Sequence, residues 1–151
     1  MTHQAKPHVG AKFFNSRVRL PKQGRQDTLA TRGERTAVII KTYAQGGENG
    51  MHTHPNEDHV FLLMQGAMEL FMPDGTSRIV KKHEGVLLEA GAYYWFKSCG
   101  DEPLVMARIG FHIDTGTDLY ARLAMDGHQM EGNSEENKQV PLILSDKVFG
   151  E

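Results

Sequence analysis

The chain has 151 residues, 17 Lys and Arg against 19 Asp and Glu, a net charge of −2 and a single cysteine. One domain is expected at this length, burying roughly 70% of the surface that the unfolded chain would expose. The balanced charge excludes a nucleic-acid backbone as partner, the lone Cys99 excludes an internal disulfide, and no apolar stretch approaches the roughly 20 residues of a membrane span.

In chain order, Met1 to His8 carries no apolar stretch of the kind that opens a secretory signal, so a cytoplasmic location is expected. Residues 1–35 and 113–151 are polar and rich in glycine, asparagine, glutamine and charge; they read as terminal arms on a core of about 36–112, within one domain spanning 1–151. Turn signals cut that core into short runs: Gly46-Gly47, Asn49-Gly50, Pro73-Asp74-Gly75, Gly85, Gly91, Gly100 to Pro103 and Gly110. The runs predict strands over Thr36 to Tyr43, Met51 to His54, His59 to Gln65, Ala67 to Phe71, Ser77 to Val80, Gly85 to Leu88, Tyr93 to Lys97 and Leu104 to His112. Eight short antiparallel strands make an all-β jelly-roll barrel.

In the run that starts at His59, the residues His59, Phe61 and Leu63 share one face and Val60, Leu62 and Met64 the other. Both faces are apolar. One therefore lines the barrel, and the other is covered by a second sheet, a terminal segment or another subunit, with a homodimer expected. Beyond the core, Thr117 to Met125 forms a short helix between Asp118 and Gly127 or continues as strand. Gly132 to Lys138 reads as an exposed loop, and Val140 to Leu144 as an apolar piece docked on the body.

Chemistry concentrates in one segment. His52, Thr53 and His54 are followed by His59, and side chains on a strand alternate, so His52 and His54 project from the same face. Pro55 to Asp58 supplies a turn or bulge that returns His59 to that face. Three neutral imidazoles in an apolar barrel would be poorly satisfied without an ion, so His52, His54 and His59 are the expected metal ligands. Glu57 and Asp58 read as solvated turn residues or as acceptors for ring nitrogens that face away from the metal. The lone His3, His8, His83 and His128 read as surface or hydrogen-bonded residues, and His112, at the end of a predicted strand, stays outside the site.

The spacing Gly46, His52, His54, His59, Gly66 resembles the first motif of the cupin superfamily: a glycine, five residues, H-x-H, three or four residues, a glutamate, six residues and a glycine. His59 stands at the glutamate's place, one ligand type exchanged for another. Gly85 to Phe96 is similar to the second motif in degraded form. With Gly91 as its central glycine, Glu89 stands for the proline, Tyr94 for the histidine and Ser98 for the asparagine. The resemblance implies a double-stranded β-helix, one divalent transition metal ion and, as in many cupins, a dimer. It also turns Tyr94 toward the cavity, where its phenol ligates the ion, donates a hydrogen bond or serves as general acid and base; the alternative is core packing beside Tyr93, Trp95 and Phe96.

Three protein ligands leave coordination positions open, the mark of a site for chemistry. Phe61 and Phe96 are candidates to line a small-molecule pocket, and Arg108 either turns inward to hold a carboxylate or enolate or forms a surface salt bridge. By analogy with cupins, Fe(II) is the favoured ion and dioxygenase chemistry on a diketone, enol, catechol-like molecule or hydroxy acid the first expectation. Mn, Ni or Zn would point to a lyase, isomerase or polyketide-type cyclase. A metabolite-binding cupin without catalysis is the other class; a sugar epimerase would need an acid and base pair that the chain does not clearly offer.

Overall fold

Antiparallel strands account for nearly all regular structure in the computed structural model, which describes residues 10–113, 121–130 and 140–151. The strands are β1 (Val18–Gln23), β2 (Arg25–Arg32), β3 (Thr36–Tyr43), β4 (His52–Thr53), β5 (Glu57–Gln65), β6 (Ala67–Phe71), β7 (Ser77–Lys81), β8 (Gly85–Leu88), β9 (Tyr93–Cys99), β10 (Leu104–His112), β11 (Leu123–Ala124) and β12 (Ile143–Phe149). They form two five-stranded sheets, β2-β3-β10-β5-β8 and β11-β4-β9-β6-β7, and a two-stranded sheet β1-β12. This is the all-β double-stranded β-helix expected from the sequence. Among the described residues no helix is long and apolar enough to cross a membrane.

The core follows from alternation. On β5 the side chains of Glu57, His59, Phe61 and Leu63 are buried and their neighbours less so. Phe61 and Leu63 are each 1% exposed and pack with Met68, Leu70, Tyr94 and Met106 between the two large sheets. Burying a side chain of that size contributes about 1.5–3 kcal/mol. Gly66 turns β5 into β6 at φ 73°, and a Cβ there would stand 3.0 Å from the Pro103 carbonyl, so the turn admits only glycine without rearrangement.

The N-terminal arm contains two strands that its polar composition hid. β2 pairs with β3 and extends the first sheet to its edge. β1 pairs with β12, and Val18 and Leu20 pack with Ile40, Val105 and Phe149, so this small sheet covers part of the first sheet's outer face. The apolar piece expected at 140–144 is the start of that covering, since Ile143 begins β12. Of the segment read as helix or strand, Leu123–Ala124 is strand, paired with β4; its beginning at 117–120 and the loop at 132–138 lie outside the described residues.

Candidate metal centre

Two strands and one turn build the site. β4 and β9 set His52 opposite Tyr94, and His54 follows on the same face, its carbonyl accepting a hydrogen bond from the Gly91 amide at 3.1 Å. Pro55 and Asn56 then turn the chain into β5, which starts at Glu57. Glu57 and His59 therefore share one inward face. The ligand atoms of His54, Glu57 and His59 all lie within 4.8 Å of one another.

Of the two readings of Glu57, solvated turn residue or acceptor for ring nitrogens, its burial removes the first. Glu57 is 4% exposed and central to a network. His59 Nε2 lies 2.5 Å from its Oε2, His112 Nε2 lies 2.6 Å from its Oε1, and Arg108 Nη2 approaches Oε2 at 3.3 Å. Burial alone would raise the carboxyl pKa, yet contact with His59 and the charge of Arg108 bring it below the ordinary value. Asp58, next in sequence, points the other way and accepts the Ala90 amide at 2.8 Å.

The three expected imidazoles form a row, with ring centroids 5.0 Å apart for His52 and His54 and 4.3 Å for His54 and His59. Their roles differ. His52 stands outside the converging group because its nitrogens are engaged: Nδ1 donates to the Gly50 carbonyl at 2.7 Å, and Nε2 accepts from Arg122 Nη2 at 3.1 Å. Burial and the Arg122 charge push its pKa down to about 3. Burial likewise takes His59 to about 4 and, with the neighbouring His59, takes His54 well below the imidazole range. All three rings are thus neutral at pH 7; the His52 lone pair is taken by Arg122, and His54 and His59 are the two rings that can offer one to an ion.

Two imidazoles and one carboxylate are a donor set that suits Fe(II) or Zn(II) and leaves positions open. Space is present as well: a Cβ on Gly110 would lie 3.6 Å from His59 Cδ2 and 3.7 Å from Glu57 Oε2, so the absent side chain leaves that flank open. The residues fit a divalent ion.

Of the remaining candidates, Arg108 faces inward, its Nη2 3.1 Å from His59 Nε2. It lines a cavity of about 260 Å³ with Glu57, Gly110, Asp27, Ile39 and Leu29. Tyr94 is 3% exposed, its ring centroid 4.7 Å from that of His52; burial raises its pKa to about 12. Phe61 and Phe96 meet edge to face at 5.6 Å in the packed core and are not among the residues lining that cavity. His112 and Arg122 were missed. His112 alternates in step with Arg108 and Gly110 on β10, and that parity was the available signal; no sequence signal marked Arg122. His83 lies in the turn between β7 and β8 and His128 pairs with Asp126 at the surface, both as read from sequence.

A family model described as "Cupin domain" matches residues 39–113, whereas no curated protein matches the chain. Solved structures with the same fold include an uncharacterized conserved protein with a double-stranded β-helix domain from Klebsiella pneumoniae (15% identity, 74% of this chain and 92% of that one, TM-score 0.59). The cupin domain of Cnp3 from Schizosaccharomyces pombe is similar at 21% identity over 63% of this chain and 69% of its own, with TM-score 0.56. KdgF from Halomonas sp. is similar at 16% identity over 62% and 86%, with TM-score 0.52. At these identities the likeness is one of fold.

Proposed function

Residues 39–113 match the cupin domain family, and on that premise we propose that this chain is a metal-dependent enzyme of dioxygenase type acting on a small oxygenated organic molecule. One observation carries the reading: two neutral imidazoles and a carboxylate converge within 4.8 Å beside a cavity that can admit a substrate. His54, Glu57 and His59 hold one divalent ion, with Fe(II) first because two histidines and one carboxylate with open positions are its usual oxygenase set. When bound, the ion supplies Lewis acidity and a place for oxygen or substrate.

The chain's own groups do the rest. Arg108 holds an anionic substrate oxygen through the guanidinium face turned to the cavity. Tyr94, kept protonated by burial, serves as a hydrogen-bond donor or general acid. His112 and Arg108 fix the Glu57 carboxylate from two sides. Phe61 and Phe96 form the apolar floor beneath the imidazoles and exclude water from below.

The test is elemental analysis of the purified protein, followed by oxygen uptake with diketone, enol, catechol and hydroxy-acid panels. Iron with substrate-dependent oxygen consumption supports the dioxygenase. Turnover without oxygen, on Mn, Ni or Zn, replaces it with a lyase, isomerase or cyclase, and binding without turnover replaces the enzyme with a metabolite-binding cupin.

The proposed state is a homodimer. Leu62, Leu87 and Phe111 are 45%, 59% and 43% exposed on the outer face of the first sheet, and a second copy would cover them. Sedimentation equilibrium tests this; a monomer at micromolar concentration rejects it.

A further inference from the structure

Two guanidiniums stand at opposite ends of the imidazole row. Arg108, from β10 of the first sheet, places Nη2 3.1 Å from His59 Nε2; Arg122, just ahead of β11 in the second sheet, places Nη2 3.1 Å from His52 Nε2. Arg122 is 8% exposed, the Arg108 side chain 18%. In both, Nε is buried with no hydrogen-bond partner.

A guanidinium presents five N–H donors. Among the described residues Arg122 gives one of them to a neutral imidazole and meets no carboxylate. Arg108 pairs with Glu57, whose oxygens already face His59 and His112, and Asp27 lines the same cavity. A buried cation without an anion is costly. Lys41 lies in the same neighbourhood, paired with Asp27 at 3.5 Å. Among the described residues, then, Arg122 has no carboxylate and Arg108 shares one, and each keeps a buried Nε–H without an acceptor.

We propose that Arg108 and Arg122 bind the two ends of a small organic dianion, a dicarboxylate, laid along the row formed by His52, His54 and His59. The proposal deepens the functional reading above, since it sets the substrate class for the same site. Each carboxylate takes the fork of one guanidinium, and the Arg108 end opens on a cavity of about 260 Å³ that Glu57 and Gly110 also line. Recognition at both ends rejects monocarboxylates, and the middle of the acid lies beside His54, where the reacting carbon would meet the metal ligands.

The test is calorimetric titration of the full chain, metal-loaded and chelator-treated, with unbranched dicarboxylates of increasing length, their neutral diamides, matched monocarboxylates and a phosphorylated hydroxy acid. Metal content is assayed on the same samples. One dicarboxylate length is expected to bind both forms, at least tenfold tighter than its monocarboxylate, with affinity falling as salt rises. Arg108→Gln and Arg122→Gln are each expected to weaken it at least tenfold, and Arg122→Lys to restore part of the loss. Binding of the phosphorylated acid alone keeps the two-point clamp and assigns one end to phosphate. Binding of the diamide as tightly as the diacid, absence of binding by any dianion, or unchanged affinity in folded Gln variants overturns the proposal; the salt dependence of the unmodified chain decides if the variants do not fold. Metal uptake without dianion binding sinks this inference alone, and dianion binding without metal uptake sinks the metal reading alone.

Discussion

Glu57 and His112 are the terminal partners of the β5–β10 ladder, and their side chains meet inside the barrel with Oε1 2.6 Å from Nε2. The backbone register that closes the sheet thus also aims a carboxylate at His54 and His59. His112 is a positioning residue for that carboxylate. His112→Leu, which removes the ring nitrogens and stays near in size, is expected to weaken metal affinity by about 10–100-fold while the fold survives, the range found when partners that orient metal ligands are removed. Chelator competition against the unmodified chain measures it, and equal affinity would show that the contact orients nothing.

Lys41 and Asp27 give the interior a pH signature. Their charged groups are 3.5 Å apart, with the Lys41 side chain 8% exposed. Burial, reinforced by Arg108 and Arg25, lowers the Lys41 pKa from 10.5 to about 7. Between these values the unfolded chain holds a proton that the folded chain has released, so stability rises with pH from about 7 to 10.5. The expected gain is on the order of a few kcal/mol, at 1.36 kcal/mol per pKa unit. Burial acts to raise the Asp27 pKa, but the charges of Lys41 and Arg25 prevail and lower it, so its contribution is present above the unfolded value of 3.8 and fades as pH falls below it. Urea unfolding at pH 6, 8 and 10 should show the alkaline gain in the native sequence and a flat response in Lys41→Met; an equal rise in both would discount Lys41.

Much of this was legible in the sequence. Turn residues such as Gly66 and Pro73-Asp74-Gly75 delimit strands whose alternation sets Phe61 and Leu63 inward, and β3, β6, β8 and β10 have the predicted bounds. The imidazole row was legible for the same reason, from the parity of His52 and His54. What was hidden depended on partners far along the chain. Glu57 looked solvated because Pro55 and Asn56 mark a turn, yet the ladder with β10 extends β5 two residues further back and carries Glu57 inside. β1 and β2 contain Pro21, Gly24 and many charges, and they are strands because β12 and β3 satisfy their backbones. Arg122 could be assigned to the interior only by knowing that β11 pairs with β4.

Tyr94 separates structure from chemistry in a single atom. Its ring packs against His52, Phe61 and Phe96, while its hydroxyl, held protonated with a pKa of about 12, serves the proposed reaction as a donor. Tyr94→Phe keeps the ring and is expected to leave melting temperature and metal content unchanged. Turnover should fall by about 10²-fold or more if the hydroxyl transfers a proton, the lower range for general acid catalysis. Unchanged kcat with normal metal content would reduce Tyr94 to a packing residue.

Gly110 offers the cleanest test of the space beside the ligands, because its position is defined by what a side chain there would touch. A methyl group at Gly110 would meet His59 and Glu57 at 3.6–3.7 Å, ordinary van der Waals contact. Gly110→Ala is therefore expected to fold and to bind metal with affinity changed less than threefold. Gly110→Leu extends three further carbons into the cavity shared by Glu57 and Arg108, filling the volume that substrate would need and crowding the open coordination positions. Its expected signature is loss of small-acid binding and of turnover, with the strand ladder from Ile109 to Val60 intact by far-UV circular dichroism. If Gly110→Leu binds and turns over substrate like the native chain, the reacting molecule does not approach through this cavity, and the route to His54 and His59 must lie on the Arg122 side of the barrel.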